Sequence, residues 1–187
     1  KVAVILVNYN NPSDTKKSIF SVKKVSPKNC LVKIFVVNNG CTDGESNLLS
    51  EDCPEIILIN SQRNLGFGAG NNLAAKEAIR LGFEYLLFLN NDAIIVSEDF
   101  FNKLLASPYN ITSPMLESQI NGERVLDYGG KVDWLFGRNT HLSTPKKADY
   151  YSGACLFMKS EVFKAVSGFD EKYFLYYEDV DFCLRAA

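Results

Sequence analysis

At 187 residues the chain is long enough to bury one sizeable core and short for two domains. Its 47% apolar and 22% charged residues argue against a disordered, collagenous or membrane-spanning protein, and a net charge of -2 argues against a surface that holds nucleic acid by neutralising phosphates. The five cysteines are odd in number and never spaced as Cys-x-x-Cys, so neither a zinc knuckle nor a disulfide framework is expected, and reduced thiols in a cytoplasmic protein are.

Val2 to Val7 is an unbroken apolar, β-branched run, the pattern of a strand buried on both faces of a parallel sheet. It is too short for a signal peptide, and no apolar run approaches the roughly 20 residues of a membrane helix. Asn11-Pro12 then reads as a helix cap followed by proline at the first helical position, with Ile19, Val22 and Val25 as the apolar stripe. Val32 to Val37 and Ile56 to Ile59 read as the second and third strands. A helix is expected from about Asn71 to Leu81, closed by Gly82 in a left-handed conformation, and a fourth strand over Tyr85 to Leu89. Alternating strands and helices imply an α/β fold with a mostly parallel central sheet flanked by helices.

From Tyr109 to Tyr151, Gly122, Gly129-Gly130, Gly137 and Pro145 break the periodicity, and hairpins or a long irregular excursion are expected. Ser160 reads as the N-cap of a short helix (Glu161 to Val166) ended by Gly168. A last helix starts at Glu178 with Asp181 and Arg185 one turn apart as an ion pair, and the two chain ends read as cut from a longer protein.

In an open α/β sheet the ligand crevice lies beyond the carboxyl ends of the strands. Polar segments recur there: Asn8-Tyr9-Asn10, then Asn38-Asn39-Gly40-Cys41-Thr42-Asp43-Gly44, then Arg63-Asn64, then Asn90-Asn91-Asp92. Amide side chains suit a base edge and ribose hydroxyls, and a carboxylate after a buried strand suits a divalent ion bridging a diphosphate. Any one of these segments is equally well a simple turn; jointly they point to a nucleoside diphosphate ligand.

These segments, with Asn64-Leu65-Gly66-Phe67-Gly68-Ala69-Gly70-Asn71-Asn72, Ser152-Gly153-Ala154, Gly168-Phe169-Asp170-Glu171 and Glu178-Asp179-Val180-Asp181, resemble family 2 glycosyltransferases of the GT-A fold, in particular rhamnosyltransferase-like members. The resemblance runs in order along nearly the whole chain. It implies that residues 1–187 are a single glycosyltransferase catalytic domain, continued beyond Ala187, that transfers a rhamnose-like or other hexose with inversion in bacterial surface polysaccharide synthesis. The implied donor is a UDP- or dTDP-linked sugar, the acceptor a saccharide or lipid-linked saccharide, and the cofactor Mn2+ or Mg2+.

By the same resemblance, Val7 (through its main chain), Asn8, Asn10, Asn38, Asn39, Asn64, Gly66, Asn90 and Asn91 would line the donor site. Asn38 stands where the family commonly has Asp. Asn90-Asn91-Asp92 corresponds to the family's Asp-x-Asp metal motif with only the last carboxylate retained, which makes Asp92 the metal ligand. Glu178-Asp179 corresponds to its acidic pair, with Asp179 as general base; the alternative is that these carboxylates merely favour a helix N-terminus. Gly66 to Gly70 would let the chain pass close to the donor, and Asn71-Asn72 would cap the helix that follows. The implied location is cytoplasmic, at the inner face of the membrane if the continuation docks there.

Two rival readings are a sugar-1-phosphate nucleotidyltransferase, which needs a glycine-rich basic loop where this chain has Asn8 to Pro12, and a non-catalytic nucleotide- or carbohydrate-binding module. His141, the only histidine, is assigned no role. Trp134, with Tyr128 and Phe136, either fills a small core or stacks on an acceptor sugar.

Overall fold

In a computed structural model of the protein, residues 1–187 are described except for the side chains of Glu45 and Asn47. The first apolar run forms β1 (Val2–Asn8), and Val2 to Leu6 are fully buried. Because successive side chains of a strand point to opposite faces, Val2, Val4 and Leu6 enter one core with Ile19 and Val22 of α1 (Pro12–Val25). Ala3 and Ile5 enter a second core with Ala74, Ala75 and Ala78 of α3 (Phe67–Arg80). The strand is therefore the centre of an α/β/α sandwich.

β2 (Val32–Asn39), β3 (Ile57–Ser61) and β4 (Tyr85–Leu89) complete the parallel part of a six-stranded sheet ordered β3-β2-β1-β4-β10-β5. The last two, β10 (Cys155–Lys159) and β5 (Ile111–Thr112), run antiparallel to their neighbours. Between β2 and β3 lie a 3-10 turn (Glu45–Leu48) and the one-turn helix α2 (Leu49–Asp52); α4 (Phe100–Leu105) precedes β5. Two hairpins, β6 (Leu116–Ile120) with β7 (Glu123–Asp127) and β8 (Gly130–Asp133) with β9 (Arg138–His141), make up the irregular excursion. The chain ends in α5 (Ser160–Ala165) and α6 (Glu178–Arg185).

The expected elements differ from the observed ones in several places, the short helices α2 and α4 among them. α3 begins at Phe67, four residues before the expected start, because Gly68 and Gly70 lie within the helix and serve its packing, with Gly66 just ahead of it. An added Cβ at Gly70 would sit 3.1 Å from Val7, and at Gly68 3.2 Å from Phe169, so small residues let α3 lie close against β1 and the chain's last segment. Asn71 and Asn72 consequently do not cap this helix: both are buried within it, Asn71 donating to Phe67 O and Asn72 to Phe169 O. Ser160 does not cap α5 either; its hydroxyl donates to Phe83 O at 2.6 Å. β10 was not anticipated at all.

All five cysteines are free, and no helix among the described residues is long and apolar enough to cross a membrane.

Candidate functional site

The sheet order places β2 and β3 on one side of β1 and β4 on the other, so the chain reverses its direction of travel between β1 and β4. Ligand crevices of open α/β sheets form at such a switch point. The segments that leave these two strands are Asn8-Tyr9-Asn10 and Asn90-Asn91-Asp92, and they are joined by a directed series of hydrogen bonds. Asn91 Nδ2 donates to Thr15 Oγ1 (2.9 Å), Thr15 donates to Asn8 Oδ1 (2.8 Å), Asn8 Nδ2 donates to Ser46 Oγ (2.8 Å), and Ser46 donates to Asp43 Oδ2 (2.8 Å). The Thr15 hydroxyl also lies 2.8 Å from Asn11 O, so its one hydrogen is shared between that carbonyl and Asn8 Oδ1. Asn8 is fully buried, and its second amide hydrogen points to Cys41 Sγ at 3.4 Å. Its side chain thus fixes the loops.

A second group of asparagines ties β2 to β3 and α3. Asn39 donates to Asn64 Oδ1 (3.0 Å) and Gly66 O (3.2 Å) and accepts from Leu65 N–H (3.0 Å); Asn38 donates to Asn60 Oδ1 (3.0 Å). Gly40 has a positive φ of 70° and abuts the Arg63–Asn64 backbone so closely that an added Cβ would lie 2.2 Å from it. Gly66 is similarly closed over by Phe174 O, 2.3 Å from where a Cβ would be, and Phe67 N–H donates to that carbonyl at 2.9 Å. Asn10 accepts from Thr42 N–H at 2.8 Å, which draws the loop after β1 onto the loop after β2. Val7 presents its side chain to Gly70. The exposed side chains at the four strand ends include Tyr9, Asn10, Thr42, Asp43, Gln62, Arg63 and Asp92.

Asp92 is exposed and is the only carboxylate of its turn; among the described residues no group of three His, Cys, Asp or Glu side chains forms a metal-binding cluster. Hard divalent ions are commonly held by one or two carboxylates together with substrate phosphates and water. The donor set fits a cation that is held jointly with a diphosphate, and does not fit one caged by protein side chains alone.

The acidic pair lies at the start of α6. Asp179 Oδ2 accepts from Gly153 N–H at 2.8 Å and Oδ1 from Val180 N–H at 2.8 Å, so the carboxylate is oriented by two backbone donors. Ala154, next to Gly153, accepts from Asn90 N–H at 2.9 Å. Gly153 and Ala154 therefore link Asp179 to the turn that carries Asp92. Glu178 is buried, its Oε2 has no hydrogen-bond partner, and burial, followed by the neighbouring Asp179 charge, raises its pKa above the usual carboxylate value. Tyr176 and Tyr177 just before it hold positive φ angles of 71° and 70°, a conformation that non-glycine residues rarely adopt and that clusters at functional sites.

A cleft of about 460 Å³ opens in front of the pair, lined by Tyr176, Tyr177, Glu178 and Asp179 and, from the other wall, by Asn139, His141, Tyr150 and Ser152. His141 Nδ1 lies 3.0 Å from Asp127 Oδ2, and Asn139 Nδ2 donates to the buried Tyr150 hydroxyl at 3.1 Å. This second wall was not legible in the sequence, where His141 had no role. Trp134 is absent from the lining; it stands at the β8–β9 tip, 74% exposed. Asp181 pairs with Arg185 at 2.7 Å as expected, and Arg185 also donates to Gly168 O, which moors the acidic segment from behind.

The sheet with its switch point, the strand-end polar loops and the acidic pair above a cleft define a GT-A-type α/β domain. The model of the family described as "Glycosyl transferase family 2" matches residues 3–167, and the chain belongs to that family. It is similar to the low-salt glycan biosynthesis hexosyltransferase Agl10 of Haloferax volcanii, with 27% identity over 99% of this chain and 61% of the relative. It is also similar to the rhamnosyltransferase WbbL of Escherichia coli K12, with 27% identity over 98% of this chain and 76% of the relative. The crystal structure of GalNAc-T7 with UDP, GalNAc and Mn2+ superposes on the whole chain with a TM-score of 0.78 at 15% identity, over 40% of its own length, a likeness of fold. The chain thus spans about three-fifths of the first of these relatives.

Proposed function

We propose that residues 1–187 act as the catalytic domain of a hexosyltransferase that moves a sugar, rhamnose or another hexose, from a nucleoside diphosphate donor to a saccharide hydroxyl in surface polysaccharide synthesis. The observation that carries this reading is the Gly153 N–H to Asp179 bond, which aims a carboxylate into a sugar-sized cleft next to the strand-end loops. The names of the two relatives support the hexosyl and rhamnosyl class. The loop after β1 contains no glycine or basic residue before Lys16, which supports sugar transfer over nucleotidyl transfer.

In this reading the donor's nucleotide lies over the β1, β2 and β3 loops, against the Val7 main chain, Asn10 and the segment held by Asn39 and Asn64, with Arg63 exposed beside it. Asp92 would hold a divalent cation, Mn2+ or Mg2+, together with the diphosphate, and such a cation neutralises charge on the departing group. Asp179 accepts the proton of the acceptor hydroxyl as its oxygen bonds to the anomeric carbon and the bond from that carbon to the diphosphate breaks, so the nucleoside diphosphate leaves from the opposite face and the anomeric configuration inverts. Each Asp179 oxygen keeps a lone pair beyond its backbone bond for that proton. Glu178 is buried beside it, and burial raises its pKa above the ordinary carboxylate value. Five free thiols agree with a compartment that keeps cysteines reduced, such as the cytoplasm.

The test is release of nucleoside diphosphate from a panel of UDP- and dTDP-sugars, rhamnose included, with Mn2+ and saccharide acceptors. Acceptor-dependent release from at least one donor is expected; release from none, with the protein folded, contradicts the reading. Donor binding without release is the result a silent binding module gives.

A further inference from the structure

We infer that the cleft between the β8–β9 hairpin and the acidic pair receives the acceptor's reacting sugar as an uncharged pyranose, and that Asn139 and His141 read it. The inference deepens the proposed transfer and rests on it for the placing of the acceptor. An inverting displacement sets the attacking oxygen and the departing group on opposite faces of the anomeric carbon. With the diphosphate assigned to the turn that carries Asp92, the cleft in front of Asp179 is left to the acceptor. Its volume of about 460 Å³ falls within the range of small-molecule sites.

The hairpin wall is fixed and polar. Tyr150 is 1% exposed and packs against Gly130, where an added Cβ would lie 2.2 Å from its ring; Gly130 N–H donates to Tyr150 O at 2.9 Å. Asn139 uses one amide hydrogen on the Tyr150 hydroxyl and keeps its other hydrogen and its carbonyl oxygen. His141 Nδ1 lies 3.0 Å from Asp127 Oδ2; a carboxylate only accepts, so the ring is held with a hydrogen on Nδ1 and with Nε2 uncommitted. Among the described residues neither side chain makes a further hydrogen bond. A spare donor and acceptor on the amide and a spare ring nitrogen suit the neighbouring hydroxyls of a pyranose, which both donate and accept. On the other wall Tyr176 and Tyr177, 73% and 52% exposed and held at positive φ, supply aromatic rings against which the C–H face of a sugar packs.

The charge of the cleft sets the class of sugar. Glu178 and Asp179 line it, Asp127 adjoins His141, and no Lys or Arg side chain belongs to the lining. Tyr150 feels the same field: burial foremost raises its pKa, and the Asp179 and Asp127 charges raise it further. A uronate or phosphorylated sugar would bring its anion among carboxylates without a cation to pair it, and such like-charge placement discriminates by repulsion. His141, the one lining group that can become cationic, already faces Asp127. A hexose, deoxyhexose or N-acetylated hexosamine brings no charge.

The experiment is saturation-transfer NMR of the chain with UDP and Mg2+ present. The ligands are the methyl glycosides of glucose, galactose and mannose, the uronate of each, and the methyl glycosides of rhamnose and N-acetylglucosamine. At least one neutral glycoside is expected to bind, and no uronate within about tenfold of it. His141→Ala and Asn139→Ala are each expected to weaken the neutral ligand by about twofold to tenfold, with thermal unfolding still cooperative. A uronate that binds as tightly as the neutral ligand, binding of no glycoside, or full binding by both variants overturns the inference. So does a loss in His141→Ala of affinity for a UDP-hexose and not for the glycoside, which places the donor's sugar in the cleft. Binding is read without turnover, so nucleoside diphosphate release judges the transfer reading separately, and glycoside binding without release is a failure of that reading alone.

Discussion

Gly153 donates its backbone N–H to the Asp179 carboxylate at 2.8 Å, while the adjoining Ala154 carbonyl receives the Asn90 N–H at 2.9 Å. Two adjacent residues are thereby held, one on the acidic pair and the other on the turn after β4, and they transmit the position of one to the other. A Cβ at Gly153 would lie 3.2 Å from the Phe67 ring and 3.3 Å from Asp179 Cβ. Gly153→Ala is therefore expected to displace the carboxylate by a few tenths of an ångström and lower kcat by roughly tenfold to a hundredfold. Donor affinity should change little. Steady-state kinetics alongside nucleotide titration checks this, and an unchanged kcat contradicts the positioning role.

The relay from Asn91 through Thr15 and Asn8 to Ser46 makes a separate stability expectation. Thr15→Val keeps the shape of a buried side chain but leaves Asn8 Oδ1 and Asn91 Nδ2 without their partners. Unsatisfied buried polar groups cost about 1 to 3 kcal/mol, so Tm should fall by roughly 2 to 12 °C for a chain of this size. Thr15→Ser, which restores the hydroxyl, should recover most of the loss in a thermal melt. Equal losses from both variants would show that packing of the methyl group, and not the relay, is what matters.

What could be read from the sequence follows from how local each signal is. β1 and β4 are continuous apolar runs buried on both faces, and α1 carries its cap, proline and stripe within a few residues, so their physics is complete inside a short window. β10 is a five-residue apolar stretch whose strand identity depends on pairing with β4, some seventy residues earlier. The first turn of α3 was missed for a related reason: Gly-Phe-Gly-Ala-Gly has low helix propensity, and only the close approach to Val7 and Phe169 explains it. At the site, the asparagines announced themselves by recurring at strand ends. That Asn8, Asn39 and Asn91 bond to neighbouring loops depends on three-dimensional neighbours such as Thr15 and Ser46. The cleft wall of Asn139, His141 and Tyr150 reaches the acidic pair only by folding of the β8–β9 hairpin.

Glu178 makes stability depend on pH in a definite direction. Its folded pKa is raised by burial, so the folded state holds this proton more tightly than the unfolded chain does. The stabilisation from neutral Glu178 is complete below the unfolded carboxylate value of about 4.3 and is lost as pH rises through the raised folded value. Glu178→Gln removes this ionisation. The Tm difference between variant and native protein should therefore shift in the variant's favour between pH 4 and pH 8; a difference constant with pH contradicts the assignment.

Asp92 as the single carboxylate of its turn carries an expectation for metal dependence. If the cation is shared with the diphosphate, UDP or dTDP should raise Tm more in Mn2+ than in chelator, and Mn2+ without nucleotide should have little effect. Asp92→Asn should remove the Mn2+-dependent increment and keep the fold. A cation effect that is the same with and without nucleotide would place the metal elsewhere.

The central claim is that Asp179 takes the acceptor proton. Transfer by Asp179→Asn, compared with the native chain on a donor and acceptor that the native chain turns over, tests it most directly, because asparagine keeps the shape and cannot act as the base. A loss in kcat of about 10² to 10⁴ with nucleotide affinity retained is the expected result. Full transfer activity in Asp179→Asn would contradict it.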